Sequence, residues 1–265
     1  MENLFISDKQ EITKGHFNQV HISGGGHFTN DLQCEYLQIS GQAKVLGNLT
    51  VQEAHISGKL FVQKKIFSSG QFHISGSLIC EQKIEMGQLM VSGSVKNSEG
   101  IQVEQVHVSG HVKAKDIKAK EISVSGKMMI EDDLITEYLG VSGKCEIKSS
   151  VQAEEIKVEG QIKAKDFINA ERIRLAPSGR SEFKGMGASE VEIRHLPQNN
   201  MGLFSLNKVK GEQIEAERIY VEYARIEKIS GRDIVIGPEC EIGVVEYTNS
   251  VEIHKNSIVG KSKKI

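Results

Sequence analysis

Along residues 104–127, EQVHVSGHVKAKDIKAKEISVSGK, apolar residues come in pairs two apart: Val106/Val108, Val112/Ala114, Ile117/Ala119 and Ile122/Val124. Short polar stretches, SGH, KD and KE, separate the pairs. A spacing of two puts both members of a pair on one face of an extended chain. A helix would need spacings of three and four, and it tolerates poorly such a density of Ser-Gly and β-branched residues. The pattern therefore predicts very short strands joined by tight corners. Neighbouring segments fit the same frame: Leu78/Cys80, Ile84/Met86 and Leu89/Val91; then Val95/Asn97 and Ile101/Val103; and later Cys145/Ile147, Val151/Ala153 and Ile156/Val158.

The frame repeats. Gly24, Gly41, Gly58, Gly76, Gly93, Gly110, Gly126, Gly143 and Gly160 each follow Ile-Ser or Val-Ser or, once, Val158-Glu159, at steps of 17, 17, 18, 17, 17, 16, 17 and 17 residues. A regular period of this length is the signature of a repeat architecture. Three short strands cannot bury their apolar face alone, but they can if the chain coils and each turn stacks on the last at the strand-to-strand spacing of about 4.8 Å. The predicted fold is all-β: a single-stranded parallel β-helix (β-solenoid) with three short strands per turn and a narrow triangular core. At the Ser-Gly corner, Gly is expected to supply φ > 0 and close stacking, and Ser a hydrogen bond to nearby backbone. The sixteen-residue turn after Val108 loses its residue from its second corner, where a loop tolerates deletion.

The phase persists beyond the clear triplets. Ile173/Leu175 keeps it while APSG, with Pro177, widens the corner, and Val191/Ile193 follows. RHLPQNNMGLFSLNK (194–208) interrupts, and the phase resumes at Ile214/Ala216, Ile219/Val221, Ile234/Ile236, Val245/Tyr247 and Val251/Ile253. Ile229-Ser230-Gly231 is out of phase with the triplets and belongs to a different wall. The chain thus divides into a regular solenoid over 1–193, an apolar interruption over 194–208 and further turns over 209–265. About thirteen or fourteen turns are expected, spanning roughly 60–65 Å at the strand spacing.

Composition agrees with a thin core. Among 265 residues there are 26 Gly, no Trp and three Pro, and the hydrophobic share is 38%. The formal charge of −2 gives no global pull toward nucleic acid or an acidic membrane surface. MENLFISDKQ has neither the basic run nor the apolar stretch of a signal peptide, and no segment is apolar enough for long enough to span a bilayer. Cys34, Cys80, Cys145 and Cys240 are scattered without C-x-x-C spacing, as expected of buried small residues in a reducing compartment, so the cytoplasm is the expected location.

No motif demands catalysis or a cofactor. His21, His55, His73 and His107 share one outward column, with His55 and His73 on adjacent turns and expected about 5 Å apart. The column also holds Gln38, Met90, Ser123, Gly140 and Lys157, so no metal set is expected and the column reads as a solvated face. Alternating Lys and Ala in KAKDIKAKE (113–121) and KAKD (163–166) fits an outward/inward strand without the interleaved aromatics of a nucleic-acid groove. Asp132-Asp133, Glu154-Glu155 and Glu239/Glu241 fall at corners, with no long loops to build a cleft. Ile236-Gly237 and Ile242-Gly243, six apart, hint at hexapeptide acyltransferases in only two copies. Leu196, Met201, Leu203, Phe204 and Leu206 concentrate apolar side chains in the interruption, either to cover a wall or to contact a partner or membrane.

The [IV]-S-G triplets between short V-x-A-x-x-I units, as in HVKAKDIKAKEISVSG, resemble the bactofilins, the polymer-forming bacterial cytoskeletal family. GEQIEAERIYVEYARIEKISGRDIVIGPECEIGVVEYTNSVEI is similar to the longer bactofilin-like proteins of Gram-positive bacteria. The resemblance implies a right-handed β-helix, end-to-end self-assembly without nucleotide, and scaffolding at the inner membrane or in envelope and appendage assembly. Independent of family, a solenoid exposes unpaired strands at its ends that can template another copy, although the basic KSKKI could blunt one of them. The competing readings are a monomeric or dimeric β-solenoid that binds partners on a flat wall, and a β-helix enzyme.

Overall fold

The computed structural model describes residues 2–195 and 208–265, and the chain is all-β, with no helix among the described residues. The parallel strands stack as a β-solenoid of about 15 turns. The chain forms two compact units, an N-terminal one ending at Glu131 and a C-terminal one beginning at Asp132.

Three walls recur in each turn. The first precedes the Ser-Gly corner, the second follows it, and the third leads back to the first. In the N-terminal unit the first wall stacks Val20/Ile22, Leu37/Ile39, Ala54/Ile56, Phe72/Ile74, Leu89/Val91, Val106/Val108 and Ile122/Val124, every one of them buried. The register is what the period demands, as in Leu37↔Ala54 and Ile39↔Ile56. A one-residue slip would turn these side chains to solvent. Phe28 and Phe72 are the bulkiest fully buried side chains, so a core without Trp is filled mainly by aliphatic residues.

The expected three separate strands per turn are seen on turns such as Leu134–Ile135, Tyr138–Val141 and Lys144–Ile147. Elsewhere the third and first walls run on as one strand, as in Leu49–Ile56 and Ile101–Val108. In Leu49–Ile56 the corner is two consecutive exposed residues, Gln52-Glu53, between the inward pairs Leu49/Val51 and Ala54/Ile56. The backbone stays extended there. In the C-terminal unit the corners soften further, and Val209–Val221, Ala224–Ile236 and Glu241–Ile253 each pass all three walls as thirteen-residue strands. Val209–Val221 pairs in parallel with Glu182–Ile193, as in Met186↔Ile214 and Ile193↔Val221. Ile229-Ser230-Gly231 pairs with Ile214-Glu215-Ala216, a different wall from the triplets.

The sequence estimate of thirteen or fourteen turns is low because the first turn lacks its marker. Leu4–Ile6 pairs with Val20–Ile22, so Ile6-Ser7-Asp8 is a corner with Asp in the Gly position. The sixteen-residue turn loses its residue between Ala114 and Ile117, since Lys96↔Lys113 is offset by 17 and Ile101↔Ile117 by 16. The eighteen-residue turn places its extra residue near Gly70, where the register shifts between Val51 and Ala54. Asn97, predicted inward on apolar spacing, is indeed buried at 4% exposure. Its amide donates to the Gln82 carbonyl at 2.6 Å and its Oδ1 accepts from the Gly100 N–H at 2.6 Å, so no buried polar atom of its side chain is stranded.

The corners also carry acid-sensitive bonds. Asp31 accepts from the Asn48 N–H at 2.7 Å on the next turn, which holds its carboxyl below the usual range. Asp133 is lowered chiefly by Ser149 and also accepts from the Ser150 N–H at 3.1 Å. A carboxyl depressed in the folded state stabilises fully above its unfolded value of about 3.9 and loses that contribution as pH falls through the folded value. Urea midpoints are therefore expected to hold from neutral pH down to about 4 and then fall, with a shallower fall in Asp31→Asn.

Candidate functional site

The predicted corner glycines stack on one another. The Ser and Gly N–H groups of each triplet converge on one carbonyl of the turn before: Ser92 and Gly93 on Ile74 at 2.8 and 2.9 Å, Ser109 and Gly110 on Val91 at 2.8 and 2.9 Å. Ser23, Ser57 and Ser125 add a side-chain bond to the same acceptor at 3.3–3.4 Å. A Cβ on Gly41, Gly58, Gly76, Gly93, Gly110 or Gly126 would fall well inside 3.0 Å of the preceding glycine's carbonyl oxygen. Gly160 lies against the carbonyl of Gly143 in the same way, and Gly24 against that of Ser7. The expectation of φ > 0 is corrected: among the described glycines only Gly100 is left-handed, at φ 152°. These corners need Gly because two backbones approach too closely for a Cβ, not for an unusual dihedral. Asp8 is tolerated because among the described residues no turn lies beneath it.

The histidines form part of a ring ladder. His55 and His73 stack with centroids 4.7 Å apart and planes within 3°, and Phe5 stacks on His21 at 5.0 Å. Tyr36 bridges His21 and His55 at 5.7 Å from each. The column spacing does not single out Tyr36 or Phe5, although the repeat places Tyr36 two residues before Gln38. A carboxylate lies beside the column, since Glu53 Oε1 is 2.9 Å from His55 Nε2. Among the described residues no group of three or more His, Cys, Asp or Glu is arranged to hold a metal ion. Beside the rings runs an amide ladder, Gln71 to Gln88 to Gln105 at 2.8 and 2.9 Å.

Members of the paired carboxylates face cations or corner donors. Glu155 faces Arg174 at 3.6 Å, and Glu241 pairs with Lys208 at 2.7 Å and with Arg225, which hold its carboxyl below the usual range. Glu239 sits in the left-handed region at φ 60°, at a tight turn. Ile236-Gly237 and Ile242-Gly243 fall at different corners, and Gly243 belongs to a second short stack in which a Cβ on Gly260 would meet the Gly243 carbonyl at 2.6 Å. Leu196, Met201, Leu203, Phe204 and Leu206 lie outside the described residues.

All four cysteines are free and buried, and burial pushes the thiols of Cys34, Cys80 and Cys145 up to about 12. The native protein is expected to give almost no colour with Ellman's reagent, and four thiols are expected after denaturation. Among the open depressions of the N-terminal unit are two on different walls. One, on the third wall, is lined by Phe17, Cys34, Phe67 and Met86. The other, on the second wall, has a volume of about 930 Å³ and lies over Gly25 and Gly26.

The protein YhbF of Bacillus subtilis (strain 168), described as uncharacterized, is 27% identical over 101 residues, 37% of this chain and 41% of YhbF. The match thus spans less than half of that relative. No family model matches the chain, and no solved structure matches it.

Proposed function

We propose that the chain is a non-enzymatic scaffold that assembles end to end without nucleotide, and that its assemblies organise envelope or appendage construction on the cytoplasmic face of the inner membrane. One observation carries the reading: apolar pairs of the same wall stand at two free edges. Among the described residues Leu4–Ile6 pairs on one side only, with Val20–Ile22. Val251–Ile253 likewise pairs only with Ile234–Ile236 among the described residues, leaving Ile253 44% exposed. Laid on Val251–Ile253, the Leu4–Ile6 strand of a second copy continues both the ladder and the core.

Charge sets the direction. The edge at Val251–Ile253 is crowded by Lys255, Lys261, Lys263 and Lys264 against Glu252, whereas the other edge carries Glu2, Asp8 and Glu11 against Lys9 and Lys14. Like edges of the basic kind repel, and unlike edges attract. Ser262 and Lys264 also occupy the inward columns of Val245 and Tyr247, which weakens the third-wall contact and leaves the first wall to dominate. The resemblance of the repeat units to bactofilins supports the same reading.

Blocking one edge at a time tests it. Leu4→Lys and Ile253→Lys each put a charge where a second copy would cover it. In sedimentation equilibrium each variant alone is expected to be monomeric, and a mixture of the two to form one-to-one dimers through the remaining intact edges. Dimers of either variant alone would reject head-to-tail addition.

A further inference from the structure

Charge in the N-terminal unit is segregated by wall, although the whole chain is nearly neutral. On the second wall the outward positions from Gly25 to Met129 carry five lysines, Lys44, Lys59, Lys96, Lys113 and Lys127, and no carboxylate. Glu11 precedes them on the first turn, and Glu131 follows, 3.0 Å from Lys113. Among the described residues Lys44, Lys59, Lys96 and Lys127 have no carboxylate at ion-pair distance. The outward positions of the first wall over the same turns hold no lysine or arginine at all.

The lysine wall is also amphipathic. Phe61 and Ile79 stand outward on adjacent turns, Ile79 39% exposed, with Lys44 Nζ 5.7 Å from the centre of the Phe61 ring. Gly25 and Gly26 leave a hollow beside them, lined by Lys9, Lys44, Lys59 and His27. His27 Nε2 is buried there without a hydrogen-bond partner.

We propose that this wall binds an anionic lipid surface, with lipid phosphates entering the hollow between Lys9, Lys44 and Lys59 while Phe61 and Ile79 enter the interfacial layer. Unpaired cations draw the wall to anionic headgroups, and apolar side chains among them gain from the acyl boundary. The stacked, in-register wall gathers its lysines on one continuous face, which suits the extended surface of a bilayer. A single-strand groove would interleave several aromatics with the lysines, and this wall has one. The inference does not require end-to-end assembly: it uses outward side chains of the second wall, assembly uses the first-wall strands Leu4–Ile6 and Val251–Ile253, and of the wall's lysines Lys9 alone enters both arguments.

Flotation of the full chain with phosphatidylcholine vesicles, with and without phosphatidylserine, tests it. Binding is expected only to the anionic vesicles and to weaken as salt rises. Lys44→Gln/Lys59→Gln is expected to lower binding by about 25-fold, roughly five-fold per lysine. Phe61→Ser/Ile79→Ser is expected to lower it as well, with the circular dichroism of both variants unchanged. Lys261→Gln/Lys263→Gln, at the other basic region, is expected to leave it intact. Failure to bind anionic vesicles would overturn the proposal, as would an equal loss in Lys261→Gln/Lys263→Gln. Lysine-dependent binding of a single-stranded oligonucleotide without vesicle binding would overturn it in favour of nucleic acid.

Discussion

Gly93→Ala is expected to cost about 3 kcal/mol or more in chemical denaturation, an unusually large penalty for adding one methyl group. The new Cβ would fall on the carbonyl oxygen of Gly76 and within contact distance of Ser75. Both neighbours are backbone, so no side chain can swing away. Relief requires the two turns to separate, which stretches the Ser92 and Gly93 bonds to Ile74 and the 2.9 Å bond from Ser94 to Gly76. Gly25→Ala supplies the contrast. Its Cβ would meet Lys9 at 3.6 Å, an ordinary contact, and stability is expected to stay within about 0.5 kcal/mol. Because φ at Gly93 is not left-handed, equal costs at the two sites would mean that stacking distance is not what selects Gly in the triplets.

The second large effect is on assembly. Ile253→Lys is expected to weaken self-association by about 100-fold or more while leaving the free protein folded. Ile253 is 44% exposed at its edge, so a lysine there remains solvated in the single copy. Covered by the Leu4–Ile6 strand of a second copy, the same ammonium would be buried without a partner, at a cost of several kcal/mol. Ile253→Val keeps the surface apolar and is expected to assemble nearly as the parent does. Light scattering or sedimentation against concentration reads the difference directly.

The walls were legible because one residue type at one spacing reports one fact. Val106/Val108 or Ile156/Val158 can only be inward pairs of short strands, and a period of 17 leaves little room for another architecture. The corner glycines were legible as positions, but their physical reason was not. Sequence shows that only Gly recurs, while the carbonyl stacked beneath it is visible only once the turns are built. Asp8 hides the first turn because it stands where the other corners have Gly, and among the described residues no carbonyl is stacked beneath it. The lysine wall as a whole is not legible in the chain for a related reason. Lys44, Lys59, Lys96 and Lys127 lie 15, 37 and 31 residues apart in the chain, and total charge averages them against carboxylates of other walls. Only the stacking of Gln42↔Lys59 and Lys44↔Phe61 gathers them on one face. The His55–His73 stack was legible from the repeat, whereas Glu53 beside it was not, because it approaches from the neighbouring corner.

Sedimentation velocity of the purified protein from low to tens of micromolar, at low and high salt and with negative-stain microscopy of the same samples, tests edge-to-edge assembly most directly. Growth into filaments without nucleotide, reduced by salt and abolished in Ile253→Lys, is the expected result. A species that stays monomeric throughout, or polymers that Ile253→Lys leaves unchanged, would contradict it.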